Sequence, residues 1–202
     1  MPDQSLTNSW INSPIILEDD LVKLEPLESK HFDALRAIAA DKRIWEFYPA
    51  DYSDADHIND ALTKALEERE KGSQYPFVII DRRLDKVIGS TRFLDIQPAH
   101  RKLEIGWTWL HPDYWATNLN TACKLLLLQY CFETLKTVRV QLKTDENNLR
   151  SRKAIQKIGG QFEGILRHDM VRGNGTMRNS AYFSIIDKEW QEAKNRLQEK
   201  LK

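Results

Sequence analysis

The sequence has little cysteine, no excess of charge of either sign and no long apolar run. Two cysteines stand among 202 residues, Cys123 and Cys131. Eight positions apart on one helix they are separated by ~12 Å of rise, too far to bridge, so a disulfide framework is excluded. Both read as small apolar residues on a buried helix face. Neither belongs to a CxxC pair, and the five histidines recur at no metal-ligand spacing, so no metal is expected. Thirty Lys and Arg balance thirty Asp and Glu. No whole-molecule field therefore draws the chain to nucleic acid or an anionic membrane, and neither is an expected partner. An apolar stretch of roughly eighteen residues, the length of a membrane span, does not occur. The start, MPDQSLTNSW, lacks the basic flank and apolar core of a signal peptide, which makes the cytoplasm the expected compartment. Repeats and low-complexity segments are absent as well.

What is present reads as one α/β domain. Residues 1–14 form a polar extension ending at Pro14, residues 15–186 the domain, and residues 187–202 a charged terminal helix. IILEDDLVKLEPL predicts a strand, followed by a helix with Ser29 as its cap and Phe32, Leu35, Ile38 and Ala39 on one side. A second amphipathic helix carries Ile58, Ala61, Leu62, Ala65 and Leu66 and ends near Gly72. PFVIID and KVIGSTRFLDI predict a hairpin, and KLEIGWTWL is a strand of imperfect alternation that stops at His111-Pro112. Residues 120–136, apolar almost all round, predict a helix buried on several sides. VRVQLKTD alternates as a strand, a short helix follows that Gly159-Gly160 can end, and FEGILRHDMVR and MRNSAYFSII are strands joined by GNGT. A mixed central sheet of about six to seven strands with helices on both faces is the economical fold.

Three segments carry a resemblance: LEIGWTWLHPDYW, WATNLNTACKLLLLQYCFE and TDENNLRSRKAIQKIGGQFEG. In this order and on these elements, the chain resembles the GCN5-related N-acetyltransferase (GNAT) superfamily from about Ile15 to Ile186. The likeness is to the RimJ/RimL-like branch of ribosomal-protein and small-amine acetyltransferases. It implies acetyl-CoA as cosubstrate and an amine acceptor, a small molecule or a protein N-terminus, attacking the thioester directly. Sequence leaves monomer and homodimer equally open.

The resemblance also implies a site. Backbone groups of Trp107, Thr108, Trp109 and Leu110 would pair with the pantetheine arm. The loop and helix start at Trp115, Ala116, Thr117, Asn118, Leu119, Asn120 and Thr121 would point N–H groups at the pyrophosphate. Here Asn118 and Asn120 replace the family's two small residues. Asn118 is expected to hold a left-handed turn, and Asn120 either bonds to phosphate or caps the helix with Thr121 beside it. Glu104 matches the family's glutamate and is the expected general base through a water; its other reading is an exposed glutamate on a sheet edge or a salt-bridge partner of Arg101 or Lys102. Many relatives place a tyrosine four residues beyond Ser151, where this chain has Ile155. Ser151 is then the candidate to hydrogen-bond the sulfur, or else an ordinary helix-surface serine. Asn148, one turn before it, is expected to cap its helix and to contact the coenzyme arm. Trp45, Phe47, Tyr48 and Tyr182 shape an acceptor pocket or are plain core, the latter being the commoner fate of such aromatics. The acidic run DYSDAD attracts a cationic acceptor or is a solvated face. Two rival functions are an acyl-CoA-binding module without turnover and an interaction module that has lost the cofactor.

Overall fold

The computed structural model describes residues 10–202. The first nine residues of the expected extension lie outside the described part. Trp10 and Ile11 are fixed to the body: Trp10 Nε1 donates to the Leu135 carbonyl at 3.2 Å, and Ile11 is buried with the core.

The strands are β1 (Leu17–Glu18), β2 (Val22–Pro26), β3 (Tyr75–Asp81), β4 (Lys86–Gln97), β5 (Lys102–Leu110), β6 (Arg139–Asp145), β7 (Gln161–Val171) and β8 (Met177–Ile186). They form one eight-stranded sheet in the order β1-β2-β3-β4-β5-β6-β8-β7. The extra strand beyond the expected six to seven is the two-residue β1, which pairs with β2 through Leu17 and Glu18. Five helices cover the sheet: α1 (Phe32–Ala39), α2 (Ala55–Glu70), α3 (Asn118–Gln129), α4 (Leu149–Lys157) and α5 (Asp187–Leu201). On one face α1 and α2 bury Leu35, Ile38, Ile58 and Leu62 against Val78 and Ile80. On the other, α3 and α5 bury Leu127, Leu128, Trp190 and Leu197 against Phe77, Phe93, Val140 and Phe183. Apolar stripes on two pairs of helices thus account for helices on both faces.

Two helix boundaries differ from expectation. Ser29 does not cap a helix; it lies inside a 3-10 turn, Ser29–His31, where His31 Nδ1 accepts from the Glu28 N–H at 3.0 Å. The long buried helix is α3 only as far as Gln129 and then widens into a π-turn, Tyr130–Thr134, which closes at Lys136 with φ +56°. An all-apolar run contains no signal for such a change in winding. Cys131 sits in the widened turn and Cys123 on α3; both are buried free thiols.

Two irregularities in β5 matter most. The first is a bulge. Gly89 and Ser90 of β4 oppose Leu110 and Trp109, whereas Arg92 opposes Gly106, so Trp107 and Thr108 together face Thr91. Trp107 has φ +49°, a strained value for a bulky residue. One extra residue reverses the phase of the strand: Leu103, Ile105 and Leu110 pack toward α3, while Trp109 packs toward α1 and α2. That reversal is the physical content of the imperfect alternation in KLEIGWTWL.

The second irregularity is a splay. Among the described residues β5 and β6 are the only parallel neighbours, and their register runs through Lys102↔Arg139, Leu103↔Val140 and Glu104↔Gln141 and then stops. β5 stays paired with β4 to Leu110 and β6 with β8 to Asp145, so beyond Glu104 and Gln141 the two facing edges part and neither has a strand neighbour there. Backbone groups cannot be left dry without partners, and an open edge inside a fold is therefore a place where something extended can bind.

Candidate active site

The splay opens into a cavity of about 470 Å³, walled by β5, the start of α3, α4 and the loop at Phe47–Pro49. Glu104 stands at its apex, the last β5 residue still paired to β6. Only 4% of the residue is exposed. Its carboxylate accepts from Gln141 Nε2 at 2.9 Å and lies 3.9 Å from Lys143 Nζ. Arg101 and Lys102 are not its partners, because alternation along β6 is what brings Gln141 and Lys143 alongside. Burial pushes the Glu104 carboxyl above the ordinary glutamate value of 4.5, against the pull of Lys143 and Gln141. Gly106 keeps the carboxylate uncovered: a Cβ there would fall 2.9 Å from Glu104 Oε1 and 2.7 Å from a Leu94 methyl.

The connection from β5 to α3 is held by its own polar atoms. Trp115 Nε1 donates to the Leu110 carbonyl at 3.1 Å, and the Arg150 guanidinium of α4 stacks 3.6 Å from the Trp115 ring. The left-handed position is Ala116, at φ +60°, not Asn118. Thr117 is the N-cap, its hydroxyl accepting from the Leu119 N–H and donating to the Tyr114 carbonyl. Asn118 is accordingly the first helical residue, and neither Asn120 nor Thr121 caps. Threonine wins the cap because its short hydroxyl reaches both groups from the extended backbone that precedes the helix. Asn120 lies in the first turn with Oδ1 buried and without a partner among the described residues. Asn120 is also one of the residues that line the cavity.

Of the residues expected at a coenzyme, Trp107 to Leu110, Trp115, Ala116, Asn120, Asn148 and Ser151 line the cavity. Thr117, Asn118, Leu119 and Thr121 do not; the Leu119 side chain is core, and what these positions offer is helix-start N–H groups. Asn148 caps α4, Oδ1 accepting from the Ser151 N–H at 2.9 Å. Ile155, in the place of the relatives' tyrosine, lines the cavity with its methyls. The aromatics divide. Phe47 and Tyr48 reach the cavity, whereas Trp45 is buried with Nε1 on the Ala39 carbonyl, and Tyr182 donates to Asp169 Oδ1 at 3.0 Å. Tyr48 donates to the Thr108 carbonyl at 2.9 Å, and burial pushes its phenol well above the ordinary range. The DYSDAD carboxylates serve the chain locally, Asp51 accepting from the Ser53 N–H and Asp54 capping α2.

Four cationic side chains of the cavity escape a reading by sequence: Lys143, Arg150, Arg178 and Lys124. Arg178 lies buried on β8, its Nε 3.8 Å from Asp145 Oδ2, which also binds Arg172. Lys124 is the one formal charge in NLNTACKLLLLQ, a signal of burial that patterning alone gives no reason to act on. Among the described residues no cluster of His, Cys, Asp and Glu is placed to hold a metal, and no helix is long and apolar enough to cross a membrane.

This geometry has relatives. The sequence model of the acetyltransferase (GNAT) domain matches residues 22–161. The uncharacterized N-acetyltransferase YoaA of Bacillus subtilis is 26% identical over 177 residues, covering 85% of this chain and 96% of its own. A crystal structure of a GCN5-related N-acetyltransferase from Brucella melitensis superposes with a TM-score of 0.86 at 30% identity, covering 95% of this chain and 87% of that one. Mycobacterium smegmatis RimJ, solved in complex with CoA-disulfide, shares the fold with a TM-score of 0.78 at 20% identity over 95% and 96% of the two chains. A splayed parallel strand pair, a helix start beside it and a family match over well over half the length agree: the chain belongs to the GNAT acetyltransferase family and is an N-acetyltransferase.

Proposed function

We propose that the protein transfers the acetyl group of acetyl-CoA to a primary amine, by direct attack of the amine on the thioester. The observation that carries this reading is the free edge of β5 from Ile105 to Leu110, opening between a buried carboxyl and the N-terminus of α3. Backbone N–H and C=O groups on that edge suit the amides of a pantetheine arm, and the α3 start suits a pyrophosphate. Asn120, in the first turn of α3, stands in the same wall. RimJ's complex with a CoA derivative, on the same fold, agrees with it.

Within this reading each residue has a task. Glu104, its carboxyl raised by burial, accepts a proton from the incoming amine through a water. The bulge at Trp107–Thr108 turns an N–H of β5 toward the carbonyl oxygen that gains charge in the tetrahedral intermediate. Ser151, fixed by the Asn148 cap, hydrogen-bonds the sulfur. Phe47, Tyr48 and Trp107 form the apolar side of the acceptor's entry.

The test is a thermal titration with acetyl-CoA, coenzyme A and ATP, followed by thiol-release assays with N-terminal peptides and small polyamines. A ligand at a hundredfold excess over its dissociation constant stabilises the fold by about 2.7 kcal/mol. Stabilisation by the coenzyme compounds alone, with thiol release in the presence of an amine, is expected. Stabilisation without turnover on any amine would leave a binding module, and no stabilisation would sink the reading.

A further inference from the structure

Lys124 has no task in the mechanism above, yet it stands in the wall of the same cavity. The residue is 6% exposed on α3, and Nζ donates to Thr108 Oγ1 at 2.6 Å, on the bulge itself. Thr108 Oγ1 is in turn 2.7 Å from Thr91 Oγ1. An ammonium carries three protons, and one hydrogen bond is made. Among the described residues Lys124 forms no ion pair. Burying a cation without an anion costs several kcal/mol, so such a residue is matched to a charge that arrives from outside.

The reaction supplies that charge. When the carbon–sulfur bond breaks, its electron pair stays on sulfur. The relatives' phenol is replaced by Ile155, and the phenols of Tyr48, in the cavity wall, and Tyr182, on β8, already donate elsewhere, to the Thr108 carbonyl and to Asp169. Resting on acetyl transfer as the reaction, we propose that Lys124 is its acid: held against Thr108 at the bulge of β5, the ammonium faces the departing sulfur and delivers a proton to it.

The step balances. The amine nitrogen forms the new bond to the acetyl carbon, Glu104 takes a proton from that nitrogen through water, the thiolate leaves, and Lys124 Nζ protonates it. Lys124 is left neutral and is recharged from solvent. Thr108 keeps its aim, and the hydroxyl of Ser151 supports the sulfur from α4.

The surroundings suit this role. The one titratable neighbour whose charge acts on Lys124 is Cys123, a thiol that burial holds protonated by pushing it up to about 11. From β4 and β5 the facing groups are the neutral hydroxyls of Thr91 and Thr108. Glu104 is engaged by Gln141 and Lys143, Asp19 in the β1–β2 turn acts on Cys123, and α4 contributes Asn148, Ser151 and an Arg150 stacked on Trp115. Burial pushes Lys124 down to about 8, near a thiol's own range of roughly 8.5, where a proton passes readily between the two.

The experiment compares wild type with Lys124→Met, using the amine acceptor found as above, by kcat against pH from roughly 6 to 10 and by acetyl-CoA affinity. In the wild type, kcat is expected to fall on an alkaline limb near pH 8. Lys124→Met is expected to bind acetyl-CoA within about threefold of wild type, lose about a hundredfold in kcat, and lack that limb. Should the methionine variant misfold, Lys124→Gln is read in the same way. An active wild type without the limb, or a folded variant that keeps both kcat and the limb, overturns the role of Lys124 alone. A wild type that turns over no amine overturns acetyl transfer and this role with it.

Discussion

Glu104 and Lys124 are both buried ionisable groups, displaced in opposite senses by the same desolvation. Glu104→Gln is expected to lower kcat by roughly 10²–10⁴-fold while leaving the thermal shift with acetyl-CoA intact. Turnover is expected to fall on the acid side at a pH above 4.5, because the carboxyl must be ionised to act. The sign for stability is the reverse of activity. A glutamate whose folded value is raised holds its proton longer in the folded state, so its favourable contribution is full below 4.5 and is lost as pH rises through the raised value. For Lys124 the folded value is lowered from 10.5 to about 8, so the unfolded chain binds more protons between those values. Stability from this group accordingly rises with pH across that window. Lys124→Met, relieved of the buried charge, is expected to melt higher than wild type at neutral pH, by the order of 2 kcal/mol, with a smaller gap near pH 10. Scanning calorimetry at two pH values checks it; a variant that melts lower at both would mean that the Thr108 hydrogen bond outweighs the desolvation. Higher stability with lower activity is the usual mark of a strained functional residue.

At the scale of the element, α3 shows how a glycine-poor loop reaches the geometry that glycines normally supply. Ala116 takes the left-handed turn and Thr117 the cap, so Asn118 and Asn120 are released from both tasks. Alanine in that conformation costs roughly 1 kcal/mol against glycine, which the Trp115 indole bond to Leu110 and the Arg150 stack help to hold. Thr117→Ala is expected to cost about 1 kcal/mol of stability and to weaken coenzyme A binding, with Thr117→Ser recovering most of both. Chemical denaturation and a binding titration on the two variants decide it. Equal coenzyme affinity in all three proteins would show that the helix start takes no part in binding. The bulge in β5 is the second such device. It places Gly106 and Trp107 side by side on one face, keeps the Glu104 carboxylate open, and sends Thr108 down to Lys124.

For the whole molecule, the sheet is continuous except at the single parallel junction, and helices seal both faces. Antiparallel pairing holds the far edge of each strand at that junction, β5 to β4 and β6 to β8, so the opening beyond Glu104 lies between two facing edges. Hydrogen exchange with and without coenzyme A is therefore expected to show new protection at amides of residues 105–110 and at the start of α3, with the strands remote from the opening, β1 to β3, unchanged. Protection spread evenly over the sheet would indicate global stabilisation only and would remove the case for a ligand seated on the β5 edge. With charges of both signs equal in number, no long-range field is available to draw in a ligand, and the proposed coenzyme binding rests on local geometry, the helix start and Arg150.

The sequence by itself determined the order of strands and helices, because periodicities of two and 3.6 residues survive in each segment, and it determined the ends marked by Gly159-Gly160 and Pro112. It also placed Glu104, Asn148 and Ser151 on elements that converge, through motifs whose spacing is local. Tertiary structure decided the rest. The Trp107 bulge depends on what β4 offers opposite, the splay depends on β6 being held by β8, and the burial of Lys124 depends on Thr108 and Thr91 reaching it from two strands. Those contacts join residues far apart in the chain, and no window of sequence contains both partners.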